Sequence, residues 1–382
     1  MKEITISQLK ERNSSEYQLV DIRDEGSVIY GKMPGAVNIS AALFEEEPDA
    51  AIAKLDGSRE IILYCQRGEK SRDTAELLEG RGFTSYSLAG GYNAYLVELM
   101  EEEEDENYQE NVEVSIRKKF HKQLFSPFAK ACKTYELIKD GDHIAVCISG
   151  GKDSMLMAKL FQEIQRHKKV KFDLTFLVMD PGYNRENRAL IESNAKKLGI
   201  PVTIFESTIF DAVDTVEKNP CYLCARMRRG YLYSKAKELG CNKIALGHHY
   251  DDVIETILMG MLHGGQIQTM MPKLHSTNFE GMELIRPLYL IREEDICKWR
   301  DYNELHFLQC ACHFTETCST CHEDGTTSSK RLETKKLIAR LKESSPYIES
   351  NIFKSVENVN LNTVIAYKKD GIRHHFLDEY GE

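Results

Sequence analysis

The chain has 382 residues, 42% hydrophobic, 29% charged and 9% aromatic, with a formal net charge of −10. That length exceeds one typical core and predicts two or three domains, and the composition excludes a disordered or fibrous class. No run of eighteen apolar residues predicts a spanning helix, and Met1–Ser7 lacks the apolar stretch of a signal peptide, so a cytoplasmic protein without a membrane partner is expected.

The charge is unevenly spread. Residues 1–110 carry 11 Lys+Arg against 24 Asp+Glu, leaving 39 against 36 in residues 111–382. The acidity belongs to the front, and the back remains able to meet a polyanion. The 11 cysteines are odd in number and include two Cys-x-x-Cys pairs and one Cys-x-Cys. In a cytoplasmic chain those spacings point to metal binding or thiol chemistry and away from a disulfide framework.

In chain order, alternation predicts strands at 17–22, 61–64 and 84–88, with a glycine-closed helix from Ser71 between the last two. The run Glu101–Glu106 cannot be buried and predicts a solvated linker. The domains are therefore placed at 1–100 and 115–382, with an acidic linker over 101–114. A basic stretch, Arg117–Lys122, then leads into a helix through Ile138. Beyond it, strand 143–148, helix 154–166, strand 172–179, helix 185–198 and strand 202–205 alternate. An α/β fold results, with a small front α/β domain and a doubly wound parallel sheet behind it.

The strand at 143–148 ends in Ser149-Gly150-Gly151-Lys152-Asp153-Ser154, and a helix begins at once. Adjacent glycines let the chain turn tightly and present bare N–H groups. The helix start adds partial positive charge, so an anion is favoured there. The spacing is not that of a Walker A loop. It resembles the PP-loop of the N-type ATP pyrophosphatases, which implies ATP binding and adenylation of a carbonyl oxygen with release of pyrophosphate. By that resemblance Ser149, Gly150, Gly151, Asp153 and Ser154 hold the phosphates and Lys152 offsets their charge, with Asp153 also taken as catalytic. Asp180, ending the next strand, sits where open α/β sheets bind ligands. Leu246-Gly247-His248-His249-Tyr250-Asp251-Asp252 reads as a turn into a helix with Asp251 or Asp252 as N-cap. In the same superfamily such a stretch borders the nucleotide and its Mg2+, which adds Gly247, His248, Asp251 and Asp252 to the ATP site.

Cys221-Tyr-Leu-Cys224 opens a helix over 225–239, and two thiols one turn apart can share a metal. A pair alone leaves structural zinc, a redox couple, a cluster or no role open. The order of phosphate loop, Cys-x-x-Cys-x-Arg-x-Arg-Arg-Gly and Leu-Gly-His-His-x-Asp-Asp resembles the tRNA 2-thiocytidine synthetase (TtcA) family. The tail from Asn351 is similar too, and the likeness spans 115–382. It implies a [4Fe-4S] cluster held by Cys221, Cys224 and a later cysteine, Cys312 with Cys310 as the alternative, leaving one iron open for sulfide. Cys318 and Cys321 depart from the family pattern; with Cys310 they are open to a zinc site, a thiol relay or no role. Cys132, Cys147, Cys241 and Cys297 read as core. Arg226, Arg228 and Arg229, with the Arg117–Lys122 stretch, suit a phosphate backbone and carry the expectation of tRNA contact.

In the front domain the strand ending at Tyr64 delivers Cys65 to a loop entering a helix, beside Arg67, Lys70 and Arg72. Backbone N–H groups and cations there stabilise a thiolate. Val20-Asp21-Ile22-Arg23, Gly31–Asn38 and Leu88-Ala-Gly-Gly-Tyr92 resemble a single-domain rhodanese over about residues 3–100, with Lys32 where histidine is frequent. The resemblance implies that Cys65 carries sulfur as a persulfide.

Together these imply ATP-dependent thiolation of tRNA, at cytidine 32, with another tRNA base or a small metabolite as the alternative. The expected partners are tRNA, a sulfur donor (a cysteine desulfurase or thiosulfate-like sulfane sulfur) and an electron donor; a homodimer is left open.

Overall fold

The computed structural model describes residues 2–28, 31–101, 107–183, 185–207, 209, 220–307, 330–378 and 380, without the side chains of 100, 101, 186 and 220–225. Cys310, Cys312, Cys318 and Cys321 therefore lie outside the described residues. The chain divides into two compact units, 1–250 with 272–326, and 251–271 with 327–382.

The first unit contains two sheets. The front sheet has β1 (Glu3–Ile4), β2 (Tyr17–Asp21), β3 (Val37–Asn38), β4 (Glu60–Tyr64) and β5 (Ser85–Leu88), in the order β1-β5-β4-β2-β3. Every pairing in it is parallel. Alternation along β4 divides the core: Ile61 and Leu63 join Val20, Phe44, Ala75 and Leu78, whereas Ile62 and Tyr64 join Leu19, Leu88, Tyr92 and Leu96. Two helices follow the central strands, α1 (Glu69–Gly80) and α2 (Gly91–Glu101). The helix predicted from Ser71 starts two residues earlier, because Gly68 at φ 91° makes the turn into it.

Behind it, α3 (Tyr108–Arg117) and α4 (Ser126–Thr134) are joined through a π-helical turn, His121–Phe125. The helix expected after the basic stretch Arg117–Lys122 is α4, which ends at Thr134 and not at Ile138, and Arg117 closes the preceding helix α3. Then come β6 (His143–Ile148), α5 (Lys152–Arg166), β7 (Asp173–Asp180), α6 (Arg185–Lys197), β8 (Val202–Glu206), α7 (Pro220–Glu238), β9 (Lys243–Ala245), β10 (Lys273–His275), β11 (Glu283–Ile285) and α8 (Glu293–Tyr302). The sheet order is β10-β11-β9-β6-β7-β8, parallel except for β10 at the edge.

Both faces of this sheet are covered, as near-continuous apolar strands require. Ile144, Val146 and Ile148 pack with Leu156 and Phe161 of α5 and Leu190 and Ile191 of α6. Ala145 and Cys147 pack on the opposite side with Tyr233 and Ala236 of α7. The expected doubly wound arrangement is present.

The front sheet does not hang on a tether. Tyr92, Tyr95 and Leu96 belong to the same apolar cluster as Val112, Ile116 and Phe161. Lys197 Nζ donates to Leu99 O at 2.8 Å, and Tyr95 meets the His306 ring edge-on at 5.6 Å. Glu113 on α3 receives the buried Lys159 at 3.0 Å and Arg166 at 2.7 Å, fastening α3 along α5.

The second unit holds helices Tyr250–Gly264 (from Asp251), Lys330–Ser344 and Ile348–Ser355 and a hairpin of Ala366–Lys369 with Ile372–His375. Arg331 reaches Glu255 at 3.1 Å and Asp252 at 3.5 Å. No described helix is long and apolar enough to cross a membrane.

Candidate nucleotide and sulfur sites

The strand β6 delivers the chain to Ser149, and Gly150 at φ 84° makes a turn that a side chain would strain. Gly151 is the N-cap of α5 and no side chain caps it, so the first-turn N–H groups are available to an anion. Ser154 is 4% exposed, and its hydroxyl is fully used. It donates to Gly151 O at 3.0 Å and accepts from Ser149 N at 3.1 Å and Ser149 Oγ at 3.2 Å. One donor and two lone pairs are thereby spent. Ser154 fastens the loop; what the loop offers a phosphate is backbone.

Lys152 is 2% exposed and lies beneath the loop, with Nζ 3.1 Å from Glu293 Oε1 and 3.2 Å from Asp153 Oδ2. The other Asp153 oxygen, Oδ1, is buried with no hydrogen-bond partner among the described residues, and His249 Nε2 stands 3.9 Å from it. An unsatisfied carboxylate oxygen beside an uncapped helix start fits a cation that accompanies a polyphosphate. These residues fit a magnesium nucleotide.

Gly247 shows why the second segment carries glycine. A Cβ there would stand 3.3 Å from the Asp153 carbonyl carbon and the Ser154 nitrogen, so the two backbones meet directly. His249, not singled out in the sequence, is the histidine brought to Asp153. Asp251 and Asp252 lie inside the first turn of a helix beginning at Tyr250, so neither is its N-cap. Their charge still suits the helix start. Asp180 is 4% exposed and occupied: Oδ1 accepts from Gly182 N at 2.9 Å and Tyr183 N at 2.7 Å, and Arg188 lies 3.1 Å from Oδ2. It shapes the turn after β7.

Cys221 and Cys224 are the second and fifth residues of α7, which begins at Pro220, not beyond the pair. Three positions apart, they share a helix face at the end whose dipole favours thiolates. Arg226 and Arg229 are exposed one turn apart on the same helix, and Arg228 is half-buried. Burial pushes the Cys132 and Cys147 thiols up to about 12 and Cys241 upward too, as expected of core thiols. Cys297 is half-buried and is likewise pushed up, first by burial.

Cys65 is 7% exposed, and its Sγ accepts from Gly68 N at 3.1 Å and Ser71 Oγ at 3.5 Å. The Gly90-Gly91 turn holds this loop: Tyr92 N donates to Cys65 O at 2.8 Å and Asn93 N to Gln66 O at 3.0 Å. A Cβ on Gly91 would lie 2.3 Å from Cys65 O. Arg23, 6% exposed, forks onto Asp21 and donates to Gln66 Oε1 at 3.3 Å, its guanidinium 3.9 Å from the Tyr92 ring centre. The sulfur loop is thus braced by the Arg23 side chain just beyond β2 and by backbone N–H groups at the start of α2.

Residues 116–312 match the PP-loop domain family and residues 5–98 match the rhodanese-like domain family. A tRNA-cytidine(32) 2-sulfurtransferase of Syntrophotalea carbinolica is 33% identical over 60% of this chain and 86% of its own length. One of Geobacter sulfurreducens is 31% identical over 63% of this chain and 90% of its own. Among solved structures, the U34-tRNA thiolase NcsA from Methanococcus maripaludis, with its [4Fe-4S] cluster, is 23% identical over 61% of this chain and 76% of that one, with a TM-score of 0.48. The chain belongs to the PP-loop family of the tRNA-cytidine(32) 2-sulfurtransferases, with a rhodanese-like domain at its front.

Proposed function

We propose that this protein is a cytoplasmic, ATP-dependent sulfurtransferase that converts cytidine 32 of tRNA to 2-thiocytidine. The observation that carries the reading is its identity to relatives of that name along most of their length. The uncapped Ser149–Ser154 loop supports the chemistry. The base's 2-carbonyl oxygen attacks the α-phosphorus of ATP, pyrophosphate leaves, and sulfur then displaces AMP at C2. In the loop, first-turn N–H groups hold the phosphates, and Asp153 Oδ1 takes the accompanying Mg2+.

Sulfur enters at Cys65 as a persulfide, held by Gly68 N–H and Ser71 Oγ. Releasing its outer sulfur as sulfide consumes two electrons, so an external electron donor is required along with a sulfane-sulfur donor. Cys221, Cys224 and Cys312, or Cys310 in its place, hold a [4Fe-4S] cluster. When bound, the cluster supplies an iron with an open position for sulfide. Arg226, Arg228 and Arg229 contact tRNA. We place the rhodanese-like domain at 1–100 and the thiolation domain at 115–382, a division supported by the two family matches; of the acidic linker expected over 101–114, residues 108–114 belong to α3.

Mass spectrometry of tRNA nucleosides from cells lacking the gene tests the proposal. Loss of 2-thiocytidine, restored by the wild-type gene and not by Asp153→Asn, is expected. Loss of a 2-thiouridine instead would move the reading to another base, and an unchanged thionucleoside profile would remove tRNA as the substrate.

A further inference from the structure

The π-helical turn His121–Phe125 runs directly into α4, which places Lys122, Ser126 and Lys130 at intervals of four along one helix face. With Pro127 and Leu290 they line a surface cavity of about 330 Å³. Lys122 and Lys130 are exposed, and neither pairs with a carboxylate among the described residues. That contrasts with α5, where Lys152, Lys159 and Arg166 all meet carboxylates. Lys118 and Lys119, just before the π-helical turn, and Lys133 on α4 extend the exposed charge, and Lys119 lies 3.5 Å from the Tyr302 ring centre.

A short stretch of chain joins the cavity wall to the floor of the phosphate loop. Leu290 is three residues before Glu293, a span of at most about 11 Å along the chain, and Glu293 receives Lys152. Tyr250 N donates to Ile291 O at 2.9 Å, so the His248-His249 segment is fixed to the same stretch. Tyr289, on the other flank, meets Tyr135 at the end of α4 edge-on at 5.3 Å.

We propose that the Lys122–Ser126–Lys130 cavity is an RNA backbone subsite, which seats a phosphodiester of the tRNA and leads the strand to the phosphate loop. The inference rests on the tRNA reading above. Two ammonium groups with no carboxylate partner among the described residues, beside a Ser126 hydroxyl that also meets His121 Nδ1 at 3.2 Å, match a phosphate anion. The acidity lies in residues 1–110, and the back carries 39 Lys+Arg against 36 Asp+Glu, so a local cationic site there can receive a polyanion.

Equilibrium binding of unmodified tRNA to the full-length protein, measured at several salt concentrations, tests the site. A Lys122→Gln/Lys130→Gln variant is compared with Lys168→Gln/Lys169→Gln, which removes the same charge from the turn after α5. The cavity variant is expected to bind tRNA about tenfold more weakly, with the salt slope lowered by roughly one for each phosphate no longer neutralised, and to bind ATP as the wild type does. Lys122→Arg/Lys130→Arg is expected to restore binding. An unchanged slope, or equal losses in both glutamine variants, would overturn the subsite while leaving tRNA thiolation standing. A wild-type protein that binds no tRNA would overturn both.

Discussion

Buried Lys152 and half-buried Glu293 form an ion pair beneath the phosphate loop, Nζ 3.1 Å from Oε1, although they are 141 positions apart in the chain. Glu293 opens α8, so the pair ties the loop to a helix on the far side of the chain's crossovers. Removing one partner leaves an ammonium buried with only part of its compensation. Glu293→Gln is expected to lower unfolding free energy by about 3 kcal/mol and to raise KM for ATP. Denaturant unfolding and pyrophosphate release check the two effects; an unchanged midpoint with unchanged KM would show that the pair does not hold the loop.

Gly247→Ala separates contact from fold. The added methyl meets backbone atoms at 3.3 Å, and backbone cannot swing aside as a long side chain does. The two segments must part by a few tenths of an ångström, at a cost of about 1–2 kcal/mol. Weaker ATP binding with unchanged Cys65 persulfide formation is the expected result, read by nucleotide titration and by thiosulfate-dependent persulfide labelling.

Much of this site is legible in the amino-acid sequence alone. The strand 143–148 and the helix after it follow from an apolar run, two glycines and a change of period, all local in sequence. What is not legible depends on direction or distance. Adjacent His248 and His249 are equivalent as text, and only the turn decides that His249 reaches Asp153. Glu293 carries no local sign of its partner. Asp180 falls at a strand end as expected, and only the structure shows that its Oδ1 accepts from Gly182 N and Tyr183 N while Oδ2 faces Arg188. Ser154 sits in the expected loop, and its hydroxyl is consumed there. Residue type and spacing locate the loop; hydrogen-bond accounting determines what each side chain has left to offer.

The sulfur loop makes an independent prediction. Gly91 has φ 59°, and its ideal Cβ position overlaps Cys65 O, so Gly91→Ala suffers both strain and collision. Loss of roughly 2–4 kcal/mol and at least a tenfold fall in persulfide loading are expected. Cys65→Ser should abolish loading with the fold intact, and pyrophosphate release should survive it. If Cys65→Ser alone stopped pyrophosphate release, the division into a sulfur-carrying front and an ATP-using back would fail.

The thiol pair on α7 predicts a metal readout separate from turnover. Cys221→Ser/Cys224→Ser is expected to retain less than about a tenth of the iron and acid-labile sulfide of wild type after anaerobic reconstitution, because a cluster with three protein thiolates keeps only one. ATP binding should be unaffected. Full iron content in that variant would remove both residues from the ligand set.

His306 supplies a pH dependence at the contact between the front helix and the back sheet. Burial holds its pKa below 6.5, against a smaller upward pull from a hydrogen bond at Glu304. The unfolded chain therefore binds the His306 proton more readily than the folded one. Its contribution is fully present above about pH 6.5 and is lost as the pH falls from there through the folded value. Tyr95 meets this ring edge-on, and Asn194 Nδ2 donates to the His306 carbonyl at 2.9 Å, so protonation loosens α2 from the back domain. Between pH 7.5 and 5.5 the wild-type Tm should drop more than that of His306→Phe, which cannot charge. Parallel Tm profiles for the two proteins would show that this histidine does not set the acid sensitivity of the contact.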